Sequence, residues 1–350
     1  MDSLAFKMSG PTLSGPKRRE TLMKMYEDIE KTMSPSNTRY NAFNLLGRFP
    51  VQPEPEIVDY VMQEGLLSKF MTVEQLQFFR DLEGDFVISK STRETLDISV
   101  RKMDFIPTFD FLNHDLHYAA MDMVEEIYWD ALTASPWGVN QTLASIDDTK
   151  SPGHVFVKHG YRTKRDVILQ GYLDDFYDVN ITKLIPYWKA CGKVEIRSYL
   201  KYVVDKSQRT FIVEPYELLF HHKRLFGQQN EQMKMKEHSF YGFNPYEGGA
   251  NYLGQKLSKF RRKWMWDAVK WDRLMPHISD IYKIKKKFLM IYGEDPFLDW
   301  VIENNVVSRL VLPNGDVIEK SWGNNSGSGS TTVDNILGML LIIYHIFLII

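Results

Sequence analysis

The sequence predicts an α+β protein, on three observations. Helical patterning fills the first part of the chain, an Asn-Gly turn separates two β-branched runs around residue 314, and an apolar stretch, Ile336–Ile350, follows a loop of glycine and serine. Periods of 3.6 and 2 thus alternate along one chain, and neither dominates.

From Arg18 to about Ser89 the pattern is helical. Ile57, Val58, Val61 and Met62 recur at helical spacing, and Thr72-Val-Glu-Gln75 has the form of a capping box ahead of an apolar run; Pro50, Pro53 and Pro55 break the region once. Val306 to Lys320 places Asn314-Gly315 between two β-branched runs, which predicts a hairpin. The segment after it, Ser321–Ser330, reads as a small, flexible loop leading into a helix, a junction where backbone N–H groups can meet phosphate or ribose. The apolar run behind it reaches Ile350, short of the about 20 residues of a spanning helix, which favours a buried helix over a tail anchor. No repeat or low-complexity linker divides the chain, so its parts are expected to be subdomains of one body.

Composition narrows the class without naming a function. With 44% apolar and 25% charged residues, the 350-residue chain is neither wholesale disordered, collagen-like nor a multi-span membrane protein. A formal charge of −2 leaves any nucleic-acid signal to local clusters. Three exist, at Lys158, Arg162, Lys164 and Arg165, at Lys259, Arg261, Arg262 and Lys263, and at Lys283, Lys285, Lys286 and Lys287. One cysteine, Cys191, excludes an internal disulfide and a Cys-rich zinc site. The first ten residues lack the apolar core of a secretory signal. His221 and His222 are adjacent rather than four apart, which suits solvent or RNA-backbone contacts rather than a helix-borne metal pair.

The most specific pattern is Ser326-Gly327-x-x-x-Thr331-x-x-x-Asn335, whose last two members share one face of the incoming helix. Upstream, Asp267 and Asp272 stand in Asp-x-x-x-x-Asp behind Trp264, Met265 and Trp266, an arrangement that suits a carboxylate at the end of a buried strand. Nucleotidyl transfer needs such hard oxygen ligands to hold a divalent cation. Further upstream still, Lys193-Val-Glu-Ile-Arg197 and Lys206-Ser-Gln-Arg209-Thr-Phe-Ile-Val-Glu-Pro215 alternate basic residues on strand-like segments, where they can neutralise phosphate.

Taken in order, these segments resemble motifs F, A and B of the RNA-dependent RNA polymerases of positive-strand RNA viruses, in the picorna-like supergroup. Gly323-Asn-Asn-Ser-Gly327 with Ser330-Thr-Thr-Val-Asp-Asn335 is most similar in style to the potyvirus and astrovirus forms. Thr133-Ala-Ser135-Pro-Trp-Gly138 resembles motif G, and Tyr241-Gly-Phe-Asn-Pro-Tyr-Glu-Gly-Gly249 the segment preceding motif A. Arg273 departs from the small residue that many relatives carry there. The resemblance covers roughly residues 130–350, and residues 1 to about 125 carry no assignable motif.

It implies a right-hand polymerase: a helical N-terminal region at 1–129, fingers at 130–211, palm at 212–282 and 321–350, and a fingers insertion with hairpin at 283–320. Asp267 is then the catalytic metal ligand for Mg²⁺ or Mn²⁺. Lys193, Arg197, Lys206 and Arg209 bind triphosphate, while Asp272, Ser326, Gly327, Thr331 and Asn335 handle the nucleotide and its ribose. Ser135 and Gly138 guide template. The 2′-hydroxyl both donates and accepts, and an amide such as Asn335 suits it on both counts. The implied partners are RNA template and product, nucleoside triphosphates, a viral protein primer by analogy, and replication-complex proteins at membrane-associated sites in the host cytoplasm. A Gly-Asp-Asp and a thumb should follow motif B, and Ile350 is reached without them, so the sequence reads as an incomplete polymerase that is inactive alone. Tyr172-Leu-Asp-Asp175 mimics a reverse-transcriptase motif, but it precedes motif F and its apolar neighbours suit a packed helix; Tyr292-Gly-Glu-Asp295 is a second such mimic. A reading from another class stays open: a non-enzymatic, membrane-tethered RNA-binding replication protein.

Overall fold

The computed structural model describes residues 21–51, 86–89, 92–105, 114–193, 195–198, 208–234, 241–263 and 278–350, with single residues at 72, 74, 206, 271 and 275. It is a mixed α/β structure. Seven strands are described: β1 (Asn44–Arg48), β2 (Phe86–Ile88), β3 (Tyr187–Gly192), β4 (Ile196–Ser198), β5 (Thr210–Val213), β6 (Ser308–Val311) and β7 (Asp316–Lys320). The longer helices are α1 (Leu22–Glu30), α2 (Arg93–Arg101), α3 (His114–Leu132), α4 (Tyr216–Gln232), α5 (Ala250–Ser258), α6 (Ile278–Leu289), α7 (Leu298–Val306) and α8 (Thr331–Ile349).

Five strands form one sheet in the order β1-β7-β6-β3-β5, while β2 and β4 pair separately. Every neighbouring pair in the large sheet is antiparallel except β3 with β6. The expected hairpin is there: β6 and β7 pair from Ser308↔Lys320 to Val311↔Val317 around Asn314-Gly315. Gly315 has φ +88° and lies so close to the backbone of Phe49 that a β-carbon would sit 2.5 Å from its carbonyl oxygen. Only glycine tolerates both conditions.

The first 129 residues are less purely helical than their pattern suggests, because β1 and β2 lie among them. Strand β1 closes the far edge of the sheet against β7, and Asp316 ties the join by accepting hydrogen bonds from Arg48, Ser36 and Tyr40. A five-residue strand holding Gly47 has little β signal of its own; its partner supplies the reason it is extended. Strand β5 also spans the expected boundary at 211/212, so the sheet is continuous across it.

The core lies between this sheet and helices α4, α6, α7 and α8. Trp188, Phe156, Phe176, Phe220, Phe226, Leu310, Ile318 and Leu337 are all buried within it. Tyr172 and Phe176, flanking the Leu-Asp-Asp mimic, are core residues on a short helix turn, as their apolar neighbours suggest. Among the described residues α8 is the one helix long and apolar enough to cross a membrane. Here its inner face, with Val333, Leu337, Leu340 and Leu341, belongs to the core, and it packs along α3.

Candidate nucleotide site

The geometry of the site starts from β5. This edge strand exposes backbone groups that must find partners. The Ser-Gly loop supplies them: Ile212 N–H donates to Ser326 Oγ at 3.2 Å, and Gly327 makes a parallel bridge to Val213. A β-carbon on Gly327 would fall 2.0 Å from Ile212 O, so a glycine is required for the backbones to approach. Strand β5, which Arg209 directly precedes, and the loop that carries Ser326 therefore meet at one sheet edge. Arg209 lies three positions before Ile212, about 10 Å along the extended chain.

The loop is not the flexible segment its composition suggests. A buried polar network straps it down from three sides. Glu214, next after β5, accepts from Gly329 N–H at 2.7 Å and from His222 Nδ1 at 2.8 Å. On the other side of the ring, Nε2 lies 2.8 Å from Ser330 Oγ. Asn230 donates to the same Oγ, and Lys223 Nζ donates to Gly329 O at 2.9 Å. On the other flank Lys320 and Ser308 hold Asn325, and Ser328 donates to Asn305.

Two expectations change accordingly. His221 and His222 are fully buried, not solvent or RNA contacts. His221 stacks on Phe297 with ring centroids 3.9 Å apart and bonds Phe176 O, and burial drives its pKa down to about 3. The junction before α8 is likewise more occupied than its composition suggests, with Gly329 N–H donating to the Glu214 carboxylate.

Below the loop, Tyr282 OH links His222 Nε2 and Asp334 Oδ2, each at 3.3 Å. Asp334 pairs with Lys285 at 2.8 Å, and both side chains are fully buried. Burial pushes the Lys285 ammonium pKa down, opposed by the Asp334 carboxylate. One residue of the basic cluster 283–287 is thus internal, and its neighbours Lys283, Lys286 and Lys287 pair with Asp280, Asp299 and Glu125. That cluster is not a bare cationic patch. Lys259, Arg261, Arg262 and Lys263 remain exposed.

The expected triphosphate cations are placed differently from the loop. Lys193, Arg197 and Arg209 surround a single carboxylate, Glu195, at 3.6, 3.9 and 3.6 Å, and Lys206 pairs with Glu94. Lys193 N–H bonds Arg209 O, which puts the two bases on adjacent strands. Ser89 and α2 brace this region, with Ser99 Oγ donating to Gln208 O at 2.7 Å.

On the motif G segment, Ser135 and Gly138 are exposed, while Trp137 N–H donates to Arg224 O and its indole ring lies flush on Gly227 of α4. Thr331 turns its hydroxyl back to Asn325 O and Ser328 O. Half-buried Asn335 accepts from Asn324 Nδ2 at 3.0 Å. Asp267 and Asp272 lie outside the described residues; of that segment the structure describes Trp271 and Met275, the latter packed on Gly338 of α8. Among the described residues no group of three His, Cys, Asp or Glu is arranged to hold a metal ion.

Glu214, Asn230 and Asn324 were given no role from the sequence, and His222 was read as a solvent or RNA contact. A signal existed for two of them: His222, Phe226 and Asn230 recur at i, i+4 and i+8, which puts two polar residues on the apolar face of α4. Polar groups at such positions need internal partners.

Residues 138–349 match the model of a family described as viral RNA-dependent RNA polymerase. Genome polyprotein 1 of barley mild mosaic virus is 31% identical over 160 residues, 44% of this chain and 7% of that polyprotein. The genome polyprotein of zucchini yellow mosaic virus is 25% identical over 296 residues, 77% of this chain and 9% of that polyprotein, and ryegrass mosaic virus gives 26% over 288 residues. The chain spans less than a tenth of the length of the first two. The matched span contains the β5 edge, the Ser-Gly loop docked on it and the network beneath, and the chain belongs to the viral RNA-dependent RNA polymerase family.

Proposed function

We propose that these residues handle the incoming nucleotide in template-directed RNA synthesis by a viral RNA-directed RNA polymerase. The observation that carries the reading is the seating of Ser326-Gly327 on β5, which joins the basic strands to the loop. In this reading residues 130–211 are fingers, 212–282 and 321–350 palm, and 283–320 a fingers insertion. Lys193, Arg197, Lys206 and Arg209 exchange Glu195 and Glu94 for the triphosphate. The loop, held by Glu214 and His222, keeps a fixed distance between base and ribose. Asp272 and Asn335 take the ribose, and Ser135 and Gly138 guide the template. Asp267 would hold Mg²⁺ or Mn²⁺, which supplies charge stabilisation at the transferring phosphoryl group. RNA, nucleoside triphosphates, a protein primer and replication-complex proteins are the proposed partners, at membrane-associated sites in the host cytoplasm.

The family match favours this reading over a non-enzymatic tethered RNA-binding protein. The test is Gly327→Ala in the full-length polymerase. Its methyl cannot coexist with Ile212 O, so the loop must leave β5. Extension is expected to fall at least about a hundred-fold from misplacement alone, with template affinity little changed. Near-normal extension by Gly327→Ala would remove the docked loop from the reaction, and near-normal extension by Asp267→Asn would remove the metal assignment.

A further inference from the structure

Asn324 is 3% exposed and sits beside the start of α8. Its Nδ2 makes two hydrogen bonds, to Thr331 O at 3.1 Å and to Asn335 Oδ1 at 3.0 Å. Orientation of an amide side chain is usually a matter of assignment, because oxygen and nitrogen look alike. Here the chemistry fixes it. Thr331 O is a backbone carbonyl and can only accept, so the Asn324 atom facing it must be nitrogen. The second hydrogen on that nitrogen then requires an acceptor, so the Asn335 atom facing it must be oxygen. The Asn335 amide is thereby locked with its oxygen turned inward and its NH₂ group turned away, and no described residue takes those hydrogens.

We infer that Asn324 is a positioning residue that sets how Asn335 reads the sugar: it holds the Asn335 amide so that only N–H donors face the nucleotide. Asn335 then recognises the 2′-hydroxyl as an acceptor and leaves its proton for a separate acceptor. This narrows the two-way role expected from an amide, since the oxygen is turned inward to Asn324. The inference rests on the ribose reading of Asn335 given above. Asn324 itself touches no substrate.

Replacing Asn324 with aspartate reverses the logic. A carboxylate can only accept, so it turns away from Thr331 O, and Asn335 turns to donate to it and presents its oxygen to the sugar. Single-nucleotide incorporation by the full-length polymerase would be compared for ribonucleotides, 2′-deoxynucleotides and 2′-amino-2′-deoxynucleotides, the last offering N–H donors at the same carbon. In Asn324→Asp the ribo-to-deoxy efficiency ratio is expected to fall about ten-fold with deoxy efficiency nearly unchanged, because a donor site rejects an analogue that lacks its partner. Use of the 2′-amino nucleotide relative to ribonucleotide is expected to rise. Asn324→Ala, which frees the amide to take either orientation, is expected to give an intermediate ratio and decides the matter if the aspartate variant fails to fold. Equal losses for all three sugars in the folded variants, or an unchanged ratio, would overturn the inference. If Asn335→Ala lowers the ratio while both Asn324 variants leave it unchanged, the ribose reading stands and the role of Asn324 falls. If Asn335→Ala leaves the ratio unchanged, the ribose reading falls first.

Discussion

Of the cations expected to bind triphosphate, Lys193, Lys206 and Arg209 are more than half exposed and paired with carboxylates, whereas the Ser-Gly loop is held by groups removed from water. Lys206 and Glu94 are each more than half exposed, while His222, Glu214, Lys285 and Asp334 are at or near zero. Exposed pairs are weak, salt-sensitive and readily exchanged for another anion. Buried charges are costly to separate, because whichever partner remains has neither water nor a counter-charge. The contrast fits two tasks. Cations that must release one anion to grip another are held loosely, and a loop whose position sets geometry is held tightly.

The largest effect expected from this contrast is at Lys285. Lys285→Ala would leave the Asp334 carboxylate buried without its ammonium, at a cost of about 3 to 5 kcal/mol. Urea unfolding would read it as a lower midpoint. A loss under about 1 kcal/mol would mean that water reaches Asp334 and that the loop's support is not dry.

A second effect sits one turn from the loop's anchor. Glu217 is fully buried, receives the Tyr26 hydroxyl and has one unpaired oxygen. Burial raises its pKa to about 7, against the lowering effect of the Tyr26 hydrogen bond. Because the folded value lies above the unfolded one, its contribution to stability is complete below the unfolded pKa, about 4.5, and is lost as pH rises through about 7. The change over that window is up to roughly 3 kcal/mol. Glu217→Gln should flatten the stability profile between those pH values, and an unchanged slope would mean the carboxyl is ionised and solvated.

The smallest change in stability belongs to the exposed set. Lys206→Ala should shift stability by less than about 1 kcal/mol, and raising the salt concentration should erase the difference. In the full-length polymerase the same variant should raise the KM for nucleoside triphosphates more than it lowers kcat, since it weakens a grip on charge. A stability loss as large as that of Lys285→Ala would end the comparison.

Much of the site's outline was legible in the chain. Asn314-Gly315 announces its hairpin because a two-strand turn is a local event, and the spacing of Ser326, Gly327, Thr331 and Asn335 survives because loop and helix are contiguous. What holds them was not legible. Glu214 and Gly329 are 115 residues apart, and His222 and Ser330 are 108 apart. Serine and glycine read locally as flexible, yet a network assembled from α4, β5 and α7 outweighs that tendency. Thr331, expected at the ribose, turns its hydroxyl to Asn325 O and Ser328 O, six and three residues away, while Gly329 N–H is taken by the distant Glu214. Asn44–Arg48 shows the same limit for a strand, where the partner β7 decides the conformation and the five residues do not.

That last pairing has a consequence for how the molecule is made. Asn44 lies opposite Glu319, so during synthesis β1 emerges long before the strand that completes it. At about 5 to 20 residues per second, the wait on the ribosome is on the order of tens of seconds. Strand β5 waits in the same way for Gly327, though for a shorter time. Both unfinished edges are short, five and four residues, and β1 carries a glycine and an arginine. Brief, interrupted edges of this kind are poor templates for pairing with a neighbouring nascent chain, which protects a sheet that can close only after its last hairpin has been translated.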